Sequence, residues 1–303
     1  MKSLRIFDFK FLVMNSKKGM ALILTLMILA LITAMVTEFA YGVYTGTNIL
    51  HNWYESQRLS FYAGSGVNVA INLISDTLAN SSYTPGFFDA KFDGQSQDND
   101  GEVLIRIEDE NSKFNVNTIV DSIGTVNDGA YKSFRRLLSN LRIDENIADY
   151  VADWIDPDTE ERLSGSEYRT KNAPLYNVGE LMFIKGIDTT VYEKLFPYVT
   201  VYGNGRININ GAEKPVLISL SNDITDELAQ RVIDYRRFTP FEEKIQLQKV
   251  IGFDLLVYGP ISGKITVKGG AFYVRSIASS GGIKRIIEAV IGMNRDIKYW
   301  RES

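Results

Sequence analysis

The chain has 303 residues, 45% hydrophobic and 12% aromatic, with a net charge of −4 and a pI near 5.3. That is enough apolar material for a membrane segment plus one or two folded units, and it gives no whole-chain basic footprint for nucleic acid. The absence of cysteine and the single histidine, His51, exclude disulfides, thiolate chemistry, histidine triads and multi-histidine metal sites, but not carboxylate chemistry.

The first feature along the chain is "KKGMALILTLMILAL" (Lys17–Leu31), which opens an apolar run from Met20 to Thr37. Between Met20 and Tyr44 the one charge is Glu38. Roughly 20 apolar residues suffice to cross a bilayer, whereas a secretory signal has an apolar core of about 7–15 residues and a small-residue cleavage site. Lys2, Arg5, Lys10, Lys17 and Lys18 precede the run against Asp8 alone. That bias predicts a single-pass protein with a cytoplasmic N-terminus and its bulk exported.

Lys-Lys-Gly before a long apolar helix resembles the class III leader of type IV pilins and type II secretion pseudopilins. The resemblance implies that a prepilin peptidase cuts between Gly19 and Met20 and leaves the helix as the new, N-methylated terminus. Most members carry a glutamate five residues into the mature chain, and Leu24 stands there instead. Within that family the lack of this acid matches the K-type minor pseudopilin.

No proline occurs between Met20 and Ser82, so one helix of some 60 residues is allowed. In "RLSFYAGSGVNVAINLISDTL" (Arg58–Leu78), Leu59, Tyr62, Gly66, Val69 and Leu73 recur at helical spacing. Small residues beside them permit close approach to something packed on that face. A coiled-coil stalk is disfavoured by the glycines and the missing heptad.

Tyr83–Gly101, rich in Gly, Asp, Asn and Ser, reads as loop, and Asp98-Asn99-Asp100-Gly101-Glu102, a second candidate for an acidic ion site, reads as a turn. "EVLIRIED" (Glu102–Asp109) alternates as a half-buried strand, and Ala271–Met293 reads as two strands joined at Gly281-Gly282.

Between these strands the sequence repeats itself. "FNVNT" (Phe114–Thr118) matches "INING" (Ile207–Gly211), "IDENIADYVADW" (Ile143–Trp154) matches "ITDELAQRVIDY" (Ile224–Tyr235), and "LMFIKGI" (Leu181–Ile187) matches "LQKVIGF" (Leu247–Phe253). Two copies suggest two small helical bundles inserted into a sheet domain. Their glycine-ended helices also occur in helix–hairpin–helix modules that hold DNA phosphates, but Glu180, Asp188, Glu242 and Glu243 offset Lys185 and Lys249.

The copies differ by one segment, "WIDPDTEERLSGSEYRTKNAP" (Trp154–Pro174), which carries Asp156, Asp158, Glu160, Glu161 and Glu167. Carboxylates this close are tolerable when solvated, ion-paired or sharing a hard cation. The spacing echoes an EF-hand, but Glu161 stands where that loop requires glycine. An oxygen-ligated Ca²⁺ site and ion pairs to Arg162 and Arg169 both remain open. A glycosidase-type carboxylate pair lacks a substrate groove.

The acidic segment with "PLYNVGELMFIKGI", the later "YVTVYGNGRININGAEKPVLISLS" and "LAQRVIDYRR" resemble K-type minor pseudopilins of type II secretion, from Lys17 to about Met293. The implied fold is α+β, pilin-like: a long N-terminal helix on an antiparallel sheet, with a large α-helical insertion of two related SAM-like or helix–hairpin–helix-like units. The corresponding boundaries are a leader at 1–19, a transmembrane part at 20–44 and a periplasmic helix at 45–80. The sheet takes 81–118 and 263–303, the first helical unit with its acidic loop 119–200, and the second 201–262.

The resemblance further implies a non-enzymatic subunit of the bacterial inner membrane that starts or caps a periplasmic pseudopilus. Its implied partners are I- and J-type minor pseudopilins, the prepilin peptidase and the secretion assembly platform, with no nucleic acid. The stripe Leu59, Tyr62, Gly66, Val69 and Leu73 is the expected partner surface, and calcium the expected ion, held by Asp156, Asp158, Glu161 and Glu167. The competing readings are a minor pilin-like subunit of another type IV filament and a membrane-anchored DNA-binding protein.

Overall fold

The computed structural model describes residues 9–96, 99–121 and 123–303; Lys2, Arg5, Asp8 and Asp98 lie outside them. Helix α1 (Phe9–Asn80) begins earlier than the apolar pattern required and runs through Gly19. The chain divides into two compact units, Met1–Arg58 and Leu59–Ser303. In the first, every residue from Gly19 to Tyr44 is exposed, and the helix is long and apolar enough to cross a membrane.

In the second unit, α1 from Leu59 onward packs on a five-stranded antiparallel sheet. Its strands are β1 (Phe87–Ser96), β2 (Asn99–Asp109), β7 (Ala271–Ser280), β8 (Ile283–Gly292) and β9 (Ile297–Glu302), in spatial order β1-β2-β7-β8-β9. Leu59, Ala63, Val67, Ala70 and Ile74 form the buried face of the helix against Ile105 and Ile107 of β2, Phe272 and Val274 of β7, and Ile287 of β8. The contact is close: a Cβ on Gly66 would fall 2.2 Å from Ser276 Oγ. Gly281 and Gly282, at φ 55° and 82°, make the two-residue β7–β8 turn that left-handed conformations favour.

The segment read as loop contains β1, an edge strand paired to β2 from Phe87↔Glu108 to Ser96↔Asn99, and Asn99–Glu102, read as part of a turn, begin β2. Its inward positions are Phe88 and Ala90, while Asp89 and Lys91 point outward to ion pairs with Arg106 and Glu102 at 3.0 and 3.2 Å. The helix stripe is also rotated. Leu59 and Gly66, taken as partner-facing, are buried against the chain's own sheet, and Val69 and Leu73 flank that core half-buried. Small Ala63 and Ala70 make the contact because they let helix and sheet approach; Tyr62, rotated off that face, stays 40% exposed.

Residues 110–270 leave the sheet after β2 and return before β7. They hold two copies of one unit. The first runs β3 (Phe114–Asn115), a 3₁₀ turn (Val116–Ile119), α2 (Asp128–Asn140), α3 (Ile147–Ile155), a 3₁₀ turn (Val178–Phe183), α4 (Thr189–Leu195) and β4 (Val199–Thr200). The second runs β5 (Ile207–Asn208), α5 (Lys214–Ser219), α6 (Asp226–Phe238), a 3₁₀ turn (Lys244–Lys249), α7 (Leu255–Ile261) and β6 (Ile265–Thr266). Each copy is closed by a parallel strand pair, β3 with β4 and β5 with β6.

The asparagines of the two matched turns do equivalent work. Asn117 accepts from Leu175 N–H and donates to Leu175 C=O, and Asn210 does the same with Phe241. Gly186 and Gly252 sit at φ 88° and 100°, between the 3₁₀ turns Val178–Phe183 and Lys244–Lys249 and the helices that follow them. The copies do not form separate bundles: Phe134, Leu137, Val151, Val216, Val232 and Phe241 belong to one continuous core. Arg136 of α2 ties them by donating to Ser219 C=O at 2.8 Å.

The insertion is anchored to the sheet at one buried knot. Asp109, at the end of β2, accepts from Thr84 Oγ1 (3.1 Å), Asn208 Nδ2 (2.6 Å) and Asn111 N–H (2.8 Å). Thr84 in turn accepts from Gly269 N–H, just before β7. Burial pushes the Asp109 carboxyl up to about 6, against the lowering effect of these donors. A raised folded-state value means that this group favours folding fully below its unfolded value of 3.8 and loses that contribution as pH rises through 6. Asp109→Asn is therefore expected to gain stability relative to the parent chain between pH 4 and pH 8, by about 3 kcal/mol. Urea unfolding of both chains in detergent across that range measures the slope; a constant difference at all pH values contradicts the assignment.

Candidate functional site

Helix α3 continues the apolar pattern of its copy α6, with Ile147, Ala148 and Val151 buried as are Leu228, Ala229 and Val232. The last acid of each matched segment differs. Asp234 is exposed and accepts from Gln230, whereas Asp153 is completely buried. The reason is the acidic segment, present only in the first copy, which folds back over the C-terminal end of α3.

That fold brings Asp153, Asp156 and Glu167 together, with one carboxylate oxygen from each lying within 4.8 Å of the others. Asp156 is fully buried, and Arg162 Nη1 approaches its Oδ2 to 2.6 Å without hydrogen-bond alignment. Asp153 is held more completely: its Oδ2 accepts from Arg162 N–H at 3.0 Å and its Oδ1 pairs with the guanidinium. Burial raises the Asp156 carboxyl, partly countered by Arg162. Burial also raises Glu167, with Asp153, Asp156 and Asp158 adding repulsion and Thr170 opposing at 2.9 Å.

The donor set suits a hard divalent cation. Both oxygens of Asp156, Oε1 of Glu167 and Oδ1 of Asn172 are buried acceptors without a hydrogen-bond donor. Such ions take oxygen ligands at about 2.4 Å, a distance compatible with the spacing of the three carboxylates. Arg162 partly neutralises the same cluster, so the cation site and the ion pairing left open by the sequence are one place rather than two alternatives.

Of the residues picked from sequence, Asp156 and Glu167 are in the cluster. Asp158 and Glu161 are exposed and turned to local backbone, Asp158 Oδ1 to Glu160 N–H at 2.9 Å and Glu161 Oε2 to Gly165 N–H at 3.1 Å. Asp153 was missed because it lies inside a helix, in register with Asp234, and reads as part of the repeat. Its signal is its position at the C-terminal end of α3, three residues before Asp156. Among the described residues Arg169 joins no ion pair; its guanidinium lies 5.1 Å from the Tyr168 ring centre.

At the other end of the chain, Gly19 and Met20 are exposed within α1, and a Cβ on Gly19 would meet nothing within 4 Å. No packing within the fold requires glycine there.

The profile of the family described as "Type II secretion system (T2SS), protein K" matches residues 112–204, which include β3 to β4 and the whole acidic cluster. Protein K of Pectobacterium carotovorum subsp. carotovorum is 30% identical over 226 residues, 65% of this chain and 66% of that protein. Protein K of Pseudomonas aeruginosa is 28% identical over 219 residues, 66% of this chain and 64% of that protein. The chain belongs to the protein K family of type II secretion systems. The aligned part spans about two thirds of the length of these relatives. The fold of the family is also seen in a chain of the crystal structure of the GspK–GspI–GspJ complex from enterotoxigenic Escherichia coli. That chain superimposes with a TM-score of 0.65 at 20% identity, covering 82% of this chain and 97% of its own length. The family match includes Asp153, Asp156, Arg162 and Glu167, so the buried cluster lies in the part of the chain that defines membership.

Removing Arg162 while no metal is bound leaves two buried carboxylates without a cation. Arg162→Gln is expected to cost about 3 kcal/mol of stability in chelator at pH 7, read by thermal or urea unfolding. A cost near zero would show that another charge neutralises the cluster.

Proposed function

We propose that the chain is a minor pseudopilin that initiates or caps the periplasmic pseudopilus of a type II secretion system, together with I- and J-type minor pseudopilins. The observation that carries this is the pilin-like body, α1 on the β1-β2-β7-β8-β9 sheet, combined with the family match in its insertion. The likeness to a chain of the GspK–GspI–GspJ complex supports the choice of partners. Residues 20–44 anchor the chain once in the inner membrane, N-terminus cytoplasmic and bulk periplasmic, after prepilin peptidase removes residues 1–19. Gly19 supports that reading because nothing in the fold needs a glycine there. The role is structural rather than catalytic, exercised through the assembly platform.

Leu24 cannot neutralise the N-terminal amine of a neighbouring subunit within a fibre, and the insertion adds bulk where another subunit would stack. Such a subunit starts or ends a filament but extends one poorly. The two helical copies read as helix–hairpin–helix-like units put to a structural use. At each hairpin the helix N-terminus that would receive a phosphate is capped by the chain's own carboxylate. Asp188 accepts from Val191 N–H, and Asp254 from Leu256 and Val257 N–H. Those caps disfavour DNA binding.

The test is mass spectrometry of the mature N-terminus in cells with and without prepilin peptidase, with co-purification of the I- and J-type subunits. Methylated Met20 as the first residue, only when the peptidase is present, is the expected result. Distribution of the protein along whole filaments would sink the cap assignment.

The ion proposed for the acidic cluster is calcium, held by Asp153, Asp156 and Glu167. Asp158 and Glu161 at the loop surface add negative potential. Calorimetry is expected to show calcium binding that Asp156→Ala abolishes; calcium heats identical to those of the parent chain would refute the assignment.

A further inference from the structure

The acidic segment also builds one wall of a cleft of about 430 Å³ between itself, α3 and the 3₁₀ turn Val178–Phe183. The cleft is lined by the rings of Tyr150, Trp154, Tyr168 and Phe183 and by two cations, Arg169 and Lys185. No carboxylate lines it, although the chain carries a net charge of −4 and the adjoining loop is its most acidic stretch. Neither cation has a carboxylate partner among the described residues. Lys185 donates to Ser164 C=O at 3.1 Å and lies 5.0 Å from the Tyr150 ring centre, and Arg169 rests beside Tyr168. The indole N–H of Trp154 is buried with no acceptor. Tyr168 and Phe183 are 73% and 74% exposed, which water disfavours for large rings.

Two cations without carboxylate partners and several exposed rings in one concavity describe a missing ligand with a carboxylate next to an apolar side chain. We propose that this cleft binds a peptide segment of a partner protein, with a carboxylate set between Arg169 and Lys185 and a neighbouring aromatic or large aliphatic side chain among the rings. Charge complementarity selects the anion, because an uncharged apolar segment leaves both cations unpaired. The carboxylate could come from an Asp or Glu side chain or from a chain terminus, and the chemistry of recognition is the same.

The test uses the full chain in detergent micelles, with its three tryptophans replaced by 5-fluorotryptophan and Trp154 assigned by Trp154→Phe. Fluorine NMR follows titration with N-acetyl-Phe-Glu-amide, its neutral counterpart N-acetyl-Phe-Gln-amide, and N-acetyl-Gly-Phe with a free C-terminal carboxylate. Calcium is kept saturating, so that loss of an ion from the neighbouring cluster is not mistaken for loss of the cleft. The Trp154 resonance is expected to move with at least one carboxylate peptide, and the glutamine peptide to bind at least about tenfold more weakly. A response to the Glu peptide alone assigns an internal acidic segment, to the free carboxylate alone a chain terminus, and to both a general carboxylate site. Arg169→Gln and Lys185→Gln, singly and together, are expected to weaken carboxylate binding while leaving the thermal unfolding of the free protein unchanged. Equal binding of the glutamine peptide, or no Trp154 response up to about 10 mM peptide, overturns the proposal.

Discussion

The fold depends on a carboxylate buried without a cation. Asp109 closes the point at which residues 110–270 leave the sheet and return to it, and each donor it accepts comes from a different segment: Thr84 after α1, Asn111 at the start of the insertion, and Asn208 of the second copy. Asn111 repeats the arrangement one step away, donating to Asn204 and to Arg206 C=O while accepting from Gly270 N–H. With the two crossings pinned side by side, β2 and β7 pair from Glu102↔Ser279 to Asp109↔Phe272 as though no chain intervened. The cost of closing a long loop rises only slowly with its length, so a large insertion is tolerable if its ends are held together.

The chain buries carboxylates in two different ways. Asp109 is satisfied by neutral donors and pays for burial with a raised pKa, which fixes geometry without inviting a cation. Asp153 and Asp156 share one guanidinium, which leaves both Asp156 oxygens without a hydrogen-bond donor. The first arrangement is complete. The second has oxygen acceptors to spare, and that surplus separates a structural knot from a candidate ion site.

The helical repeat, the long proline-free helix and the Gly281-Gly282 hairpin were legible in the sequence because each rests on local chemistry: matched apolar positions, backbone permissiveness and a turn dipeptide. What was not legible depends on tertiary neighbours. Among its described side chains β1 offers Phe88 and Ala90 to the core, and its period is hidden among charged residues that pair across the strand. The buried face of α1 is set by small residues, so counting large apolar ones turned the stripe partly away from the sheet. Asp153 looks like its repeat partner Asp234 until the acidic segment covers it, and the shared core of the two copies follows from packing between α2 and α5 that neither copy encodes alone.

The position of the insertion constrains what assembly can do. The β1–β2 and β7–β8 hairpins turn at one end of the sheet, whereas the Asp109 knot and residues 110–270 lie at the other, next to Thr84 and the C-terminal end of α1. Bulk added there leaves the hairpin end and the outward side of α1, where Tyr62 is exposed, as they were. Under the proposed role, a body altered in this way keeps surfaces for neighbours alongside and loses the surface for a neighbour beyond. Asymmetry of that kind is what a filament end requires, and it arises here from a single crossing point between β2 and β7.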